Sequence, residues 1–331
     1  MLSAQTAPPA LSFAPMEGIT GWIYRRAHRA MFPGLHRYYT PFYAPTADSP
    51  LSGRGLTDMH PDHNQGVPVV PQLLTNRAED FLSAAKLLQD LGYQEVNLNL
   101  GCPSGTVTAK GKGAGFLSLP QQLDEFLDVV FHSLDLTVSI KTRVGVTSPE
   151  EWPALLAIFN RYPIGELIIH PRVRKDFYRG PVRMEAFAYA AEHTKLPLCY
   201  NGDLFSPQDC RDFAGRFPNL PHLMAGRGLV CNPALGRELQ GGPPLTKGEL
   251  IAFHDRLLED YRSVLSGDWP VLGKMKELWF YWSRLFPAPE KPLKAMRKAR
   301  NLTDYTHAAQ TLFRDQDLIP GGHFSAPESA G

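Results

Sequence analysis

Short apolar runs alternate with stretches of helical period from Leu11 to about Gln240. Eight of these runs read as strands: LSFAPM (11–16), RYYTPFYA (37–44), VPVVPQLL (67–74), EVNLNLG (95–101), LTVSIKTRV (136–144), ELIIHPR (166–172), LPLCYNGD (196–203) and HLMAGRG (222–228). They are short and rich in Val, Ile and Leu, which suits parallel strands covered on both faces. Between them, residues 77–91 place Phe81, Ala84, Ala85, Leu88 and Leu91 on one helical face, and Gly92 supplies a stop. Ser148-Pro149 and Ser206-Pro207 are cap-plus-first-turn signals for two more helices. Strands alternating with helices predict βαβ units. Eight such units in this span predict a closed (β/α)8 TIM barrel of the α/β class rather than an open sheet.

Beyond residue 240 the pattern changes. GGPPLTKGEL (241–250) reads as a linker, and from Leu250 to about Leu318 the period is helical throughout. The expected organisation is a barrel over 1–240, a small all-helical domain over 241–320 and a disordered tail over 321–331.

Composition narrows the class. The chain has 331 residues with 34 Lys and Arg against 33 Asp and Glu, a net charge of +1 that argues against a wholly basic coat. Hydrophobic residues make up 43%, enough for a sizeable core, so disordered and collagen-like classes are excluded. The four cysteines (102, 199, 210, 231) form no C-x-x-C pair, which speaks against a zinc or thioredoxin-type motif and a disulfide scaffold. No metal site is expected. Met1–Ala10 lacks a signal-peptide pattern, and no run approaches 18 apolar residues. The expectation is a cytoplasmic protein with no membrane association and no obligatory protein partner.

Barrel active sites lie at the C-terminal ends of the strands, and those ends are unusually polar here. The first carries Pro15, Met16 and Glu17, the third Gln72, and the fourth Asn99 and Cys102. The fifth carries Lys141 and Arg143, the sixth His170 and Arg172, the seventh Asn201-Gly202-Asp203, and the eighth Gly226-Arg227. Loops after strands seven and eight of such barrels often hold phosphate. Gly202 and Gly226 would admit an anion close to the backbone, and Arg227 adds a fork of donors. Gly105–Gly115 is Gly-rich, but five residues separate Gly105 from Gly111 where a Walker A loop needs four. It is expected to be a mobile loop, a candidate lid beside Cys102.

NLNLGCPSGTV followed by GKGAGFL resembles the signature of the tRNA-dihydrouridine synthases. APMEGIT, the Gln72 strand, SIKTR, IHPR, CYNGD and MAGRGL follow in that family's order, so the resemblance spans roughly residues 11–310. It implies an FMN enzyme on a TIM barrel with a C-terminal helical domain. Such an enzyme reduces the C5=C6 bond of a uridine in tRNA, with NADPH or NADH reducing the flavin. Cys102 matches the proton donor, and a thiol is mostly protonated at neutral pH. Lys141 matches the lysine beside the flavin. Gln72 suits the flavin's pyrimidine edge. Pro15, Met16 and Glu17 are expected along its ring, Asn201, Gly202, Asp203, Gly226 and Arg227 at its phosphate end, and His170 between flavin and substrate. Asn99 and Arg172 are expected on the substrate side. The chain departs from the family after His170, where Pro171-Arg172-Val173 lacks the usual Thr, while Tyr178-Arg179-Gly180 keeps the family's Tyr-x-Gly.

Charge distribution bears on the RNA. Residues 274–300 net +6 and residues 170–183 net +4, while residues 25–37 hold four arginines and no acid. These windows predict a track for phosphates, with Arg297, Lys298 and Arg300 on it. Trp279, Tyr281 and Trp282 lie in the first window at a spacing more often found in cores. Two rivals remain at this point: a flavin barrel reducing a free base, like the dihydroorotate and dihydropyrimidine dehydrogenases, and an RNA-binding relative that has lost catalysis.

Overall fold

The computed structural model describes residues 8–220 and 222–325. Nine parallel strands form one sheet: β1 (Ala10–Phe13), β2 (Tyr38–Tyr39), β3 (Val69–Val70), β4 (Gln72–Leu73), β5 (Glu95–Leu100), β6 (Thr137–Arg143), β7 (Leu167–His170), β8 (Leu198–Tyr200) and β9 (His222–Ala225). Their order is β3-β2-β1-β9-β8-β7-β6-β5-β4. The two ends, β3 and β4, are halves of a single run around Pro71. Proline has no N–H for the ladder, so the strand is interrupted there. Pro71 O still accepts from Asn97 N at 2.8 Å. The ring thus has eight positions, one for each strand expected from the sequence.

Helices lie outside the strands. Ala78–Asp90 buries Phe81, Ala84, Ala85 and Leu88 as expected. Leu91 is the C-cap and only partly buried, and Gly92 at φ +95° ends the helix. Ser148 and Glu151 close a capping box on a 3-10 turn before Trp152–Phe159, and Ser206 with Asp209 does the same for Pro207–Arg216.

After the barrel the described residues form four α-helices, Lys247–Val264, Asp268–Trp282, Glu290–Lys298 and Leu302–Asp315, with a 3-10 turn at Ser283–Leu285. Trp279 and Trp282 are fully buried and Tyr281 is buried, so this aromatic cluster is core and no RNA surface. Tyr305 Oη takes the Trp279 indole N–H at 2.7 Å and meets His254 Nε2 at 2.8 Å, which satisfies three buried polar groups at once. Lys274 Nζ donates to Gly18 O at 2.5 Å and Trp282 Nε1 to Val230 O at 2.9 Å, tying the helices to the loop after β1 and to the segment after β9. The first part of the segment expected as a disordered tail is packed: Phe324 is buried against Phe205 and Tyr281. Residues 326–331 of that expected tail lie outside the described residues. No helix among the described residues is long and apolar enough to cross a membrane.

Candidate active site

Side chains alternate across a strand, so each barrel strand sends every second residue into the bore. From β1, β2, β3, β7, β8 and β9 the inward residues Ala14, Tyr39, Val70, Ile168, Cys199 and Met224 form an apolar cluster separate from the outer core. From β4, β5 and β6 the inward residues are Gln72, Glu95, Asn97, Asn99, Ser139 and Lys141, with Val96, Leu98, Val138 and Ile140 facing outward into the main core. One half of the bore is therefore polar.

Four side chains of the polar half are joined by hydrogen bonds. Gln72 Nε2 donates to Asn97 Oδ1 and Gln72 Oε1 accepts from Asn99 Nδ2, both at 2.7 Å. Asn97 Nδ2 donates to Ser139 Oγ at 2.9 Å. Asn99 Oδ1 accepts the backbone N–H of Gly101 at 3.0 Å and of Cys102 at 2.9 Å. Gln72 is fully buried. One N–H and one lone pair are all its amide retains for a flavin edge. Asn99, expected at the uracil edge, spends its carbonyl on holding the Cys102 loop and one N–H on Gln72.

Cys102 is half-buried at the mouth, while Cys199, Cys210 and Cys231 are buried. Burial pushes its thiol up, so it stays protonated at neutral pH. The expected mobile lid proves to be an ordered strap, with a helix at Gly105–Thr108 and a 3-10 helix at Gly113–Ser118. Ala114 N donates to Cys102 O at 3.0 Å, and Gly113 through Leu117 are buried. Gly113 stands at φ +56°, where a Cβ would meet Cys102 O at 3.0 Å, so glycine is what lets the strap close on the cysteine loop.

Lys141 is paired with Asn99 in register. Burial, and then Arg143, lowers its ammonium to about 8; the opposing influences are the thiols of Cys199 and Cys102, and no carboxylate is among them. It is a cation waiting for an anionic or electron-rich partner. Arg143 went unassigned in the sequence, and it is structural: fully buried, it donates to Gly101 O (2.8 Å), Val173 O (3.0 Å) and Phe177 O (2.7 Å). Phe177 is the one non-glycine residue among the described residues with positive φ, at +51°, and Arg143 holds it there.

At the other side of the mouth Arg172 forks onto both oxygens of Asp203, at 3.0 and 2.5 Å, and Arg227 reaches Oδ1 of the same carboxylate at 2.7 Å. Asp203 thus holds two arginines, and its own charge would oppose a phosphate. Arg172 is 2% exposed, which places it in this network and not on an outer RNA-facing surface. Its Nη1 also meets His170 Nε2 at 3.1 Å. Burial, followed by Arg143, Lys141, Arg172 and Arg227, holds the imidazole well below its usual value, so His170 is neutral and Nε2 is an acceptor. Asn201 Nδ2 donates to Met224 O at 2.8 Å, leaving its carbonyl free. A Cβ on Gly226 would lie 2.9 Å from Met16 Sδ, so any larger residue there would make the Met16 side chain shift. Pro15 and Met16 are half-buried beside it; Glu17 is exposed and pairs with Arg54 at 2.9 Å.

The three basic windows fare differently. Arg25 is buried against Asp58 and Asn64, and Arg37 pairs with Glu95, so the 25–37 window supplies no continuous track. In 170–183, Arg183 pairs with Asp176 and Arg174 reaches Thr108 Oγ1, leaving Lys175 and Arg179 exposed. In 274–300, Lys274 and Lys276 cap carbonyls, whereas Lys291, Lys294, Arg297, Lys298 and Arg300 are exposed. None of these five is in an ion pair among the described residues; the ion pair nearest to them in sequence joins Arg314 to Asp315.

Residues 12–246 match the family model described as dihydrouridine synthase. The chain is 27% identical to a tRNA-dihydrouridine(16) synthase of Pseudomonas putida over 75% of this chain and 78% of that one. It is 27% identical to a probable tRNA-dihydrouridine synthase of Rhodobacter capsulatus over 80% and 82%. A tRNA-dihydrouridine synthase B of Proteus vulgaris is 31% identical over 55% and 59%. Among solved structures, morphinone reductase superposes with a TM-score of 0.51 at 12% identity, over 72% of this chain and 92% of that one. A 2-naphthoyl-CoA reductase does so with a TM-score of 0.55 at 10% identity, over 70% and 50%. At such identities these structures speak for the barrel fold alone.

Proposed function

The chain belongs to the dihydrouridine synthase family, and from that premise we propose that it is an oxidoreductase acting on a CH–CH bond, reducing C5=C6 of a uridine in tRNA to 5,6-dihydrouridine. The observation that carries this is Cys102: the half-exposed cysteine, at the barrel mouth, protonated, and held on a strand end by Asn99 and the strap. A protonated acid at that place can deliver a proton to one carbon of the bond while a hydride arrives at the other.

The residues present suit FMN. Lys141 is a half-buried cation with no carboxylate partner among the described residues, suited to an electron-rich ring. Pro15 and Met16 would lie along that ring. Gln72 would offer its remaining N–H and lone pair, Gly226 a Cβ-free approach, and Asn201, Gly202 and Arg227 the phosphate end, with Asp203 orienting the arginines. When bound, the flavin supplies hydride, replenished by a nicotinamide dinucleotide. Arg172 positions neutral His170, whose ring borders the mouth together with Tyr178. A base cannot be reduced in the stack, so it must be flipped into this mouth.

Residues 1–240 would carry the chemistry and residues 241–320 the RNA, through the exposed row Lys291, Lys294, Arg297, Lys298 and Arg300 on and just past Glu290–Lys298. A free base needs no such row, which favours RNA over the free-base alternative. The test is purified protein with FMN, NADPH and an unmodified tRNA transcript, scored by mass spectrometry. A gain of two mass units on a uridine, lost in Cys102→Ala, is expected. Absence of that product with flavin bound would overturn the assignment.

A further inference from the structure

The two arginines on Asp203 are used differently. Arg172 spends its fork: Nε donates to Gly180 O at 2.6 Å, and both Nη groups go to the carboxylate. Arg227 gives Asp203 one N–H, from Nη2. Among the described residues its other four N–H groups meet no acceptor. Its side chain is nonetheless mostly covered, 17% exposed.

The cover is aromatic. The guanidinium lies 5.1 Å from the centre of the Phe205 ring and 5.2 Å from that of Phe324. A ring face attracts a guanidinium and takes up none of its N–H groups, whereas carbonyls in the same place would consume them. Phe324 comes from beyond the last helix, Leu302–Asp315. Its segment is tied down, with Ile319 N donating to Leu285 O at 2.8 Å and Gly322 N to Ile319 O at 2.9 Å. Phe324 itself is 1% exposed. The same ring takes Arg284 at 4.7 Å, and Arg284 Nε is buried without a hydrogen-bond partner. Arg172, Arg227 and Arg284 are thus linked through one carboxylate and one ring, an excess of positive charge that suits a phosphate dianion. We propose that the segment after the last helix completes the phosphate end of the flavin site, with Phe324 as a positioning residue that steadies Arg227 while leaving its donors free. This rests on the flavin reading above and adds to it a stretch of chain outside the barrel.

The test compares FMN with riboflavin, which has the same ring system and no phosphate. Each is titrated into the full-length chain, and quenching of flavin fluorescence gives the dissociation constant. Phe324→Ala should weaken FMN on the order of ten-fold and leave riboflavin unchanged. Phe324→Tyr keeps a ring face and should keep most of the wild-type affinity for FMN. Phe324→Leu keeps apolar bulk without a ring face; should Phe324→Ala not fold, it decides alone, again by a loss for FMN that spares riboflavin. Unaltered FMN affinity, or equal losses for FMN and riboflavin, would overturn the proposal. So would a wild type that binds FMN no more tightly than riboflavin, since Arg227 would then give the phosphate nothing. A loss confined to FMN, in a protein whose wild type makes no dihydrouridine, would uphold the role of Phe324 and overturn the tRNA reading.

Discussion

The two halves of the barrel bore do different work with the same backbone. Ala14, Tyr39, Val70, Ile168, Cys199 and Met224 fill one half chiefly by apolar contact, with Tyr39 Oη donating to the buried Glu166 at 3.2 Å. Gln72, Asn97, Asn99 and Ser139 fill the other by directed hydrogen bonds. Apolar packing tolerates many arrangements of similar volume, whereas a hydrogen-bond line tolerates one. The proposed chemistry belongs to the directed half: Cys102 just after β5, Lys141 on β6 and Gln72 on β4.

That contrast can be broken in four places. Cys102→Ala should lower tRNA reduction by about 10²- to 10⁴-fold, the usual share of a general acid, with an unchanged melting temperature; a comparable fall in stability would erase the distinction between the halves. Met224→Ala in the apolar half should cost about 2–5 kcal/mol in denaturant unfolding, with the Gly101 and Cys102 amides exchanging as before. Were those amides to loosen, the two halves would be one structural unit.

Lys141 gives the third test, through pH. Its folded value of about 8 lies below the unfolded 10.5, so between them the unfolded chain binds more protons. Its destabilising effect is fully present below pH 8 and fades as pH rises toward 10.5. Relative to Lys141→Met, the wild type should gain up to about 3 kcal/mol across that window, reduced by what exposure the mouth allows. A flat difference would show that the folded chain does not lower the Lys141 ammonium. The smallest effect lies outside the barrel. Changing Arg297, Lys298 and Arg300 to Glu should flatten the salt dependence of tRNA affinity by a slope of about 2–3 and leave flavin reduction by NADPH untouched.

The barrel was legible because its signals are local. Eight Val- and Ile-rich runs separated by capped helices leave few alternatives, and the split of the third run follows from Pro71 alone. Cys102, Lys141 and Asn99 were visible as polar residues at strand ends. The polar line was missed although its mark is in the chain: EVNLNL and TVSIK alternate strictly, unlike LIIH, and that alternation places the polar residues inward. The charge windows misled for a different reason. A count within a window cannot see that Arg25 meets Asp58, Arg37 meets Glu95 and Arg172 meets Asp203, each an acid outside the window.

By itself the sequence determined the strand and helix order, the parallel barrel, the helical C-terminal segment and which end of the barrel gathers polar residues. Each follows from periodicity, capping and chain direction, properties of neighbours along the chain. Only the tertiary structure decided how the polar residues are used. It made Gln72 and Asn99 links in a line, Asp203 a clamp for two arginines, the Gly-rich stretch an ordered strap, and one short basic row the exposed remainder of a larger charge count. Those outcomes depend on which groups meet across the bore, and a hydrogen bond or ion pair is fixed by separation in space rather than in sequence.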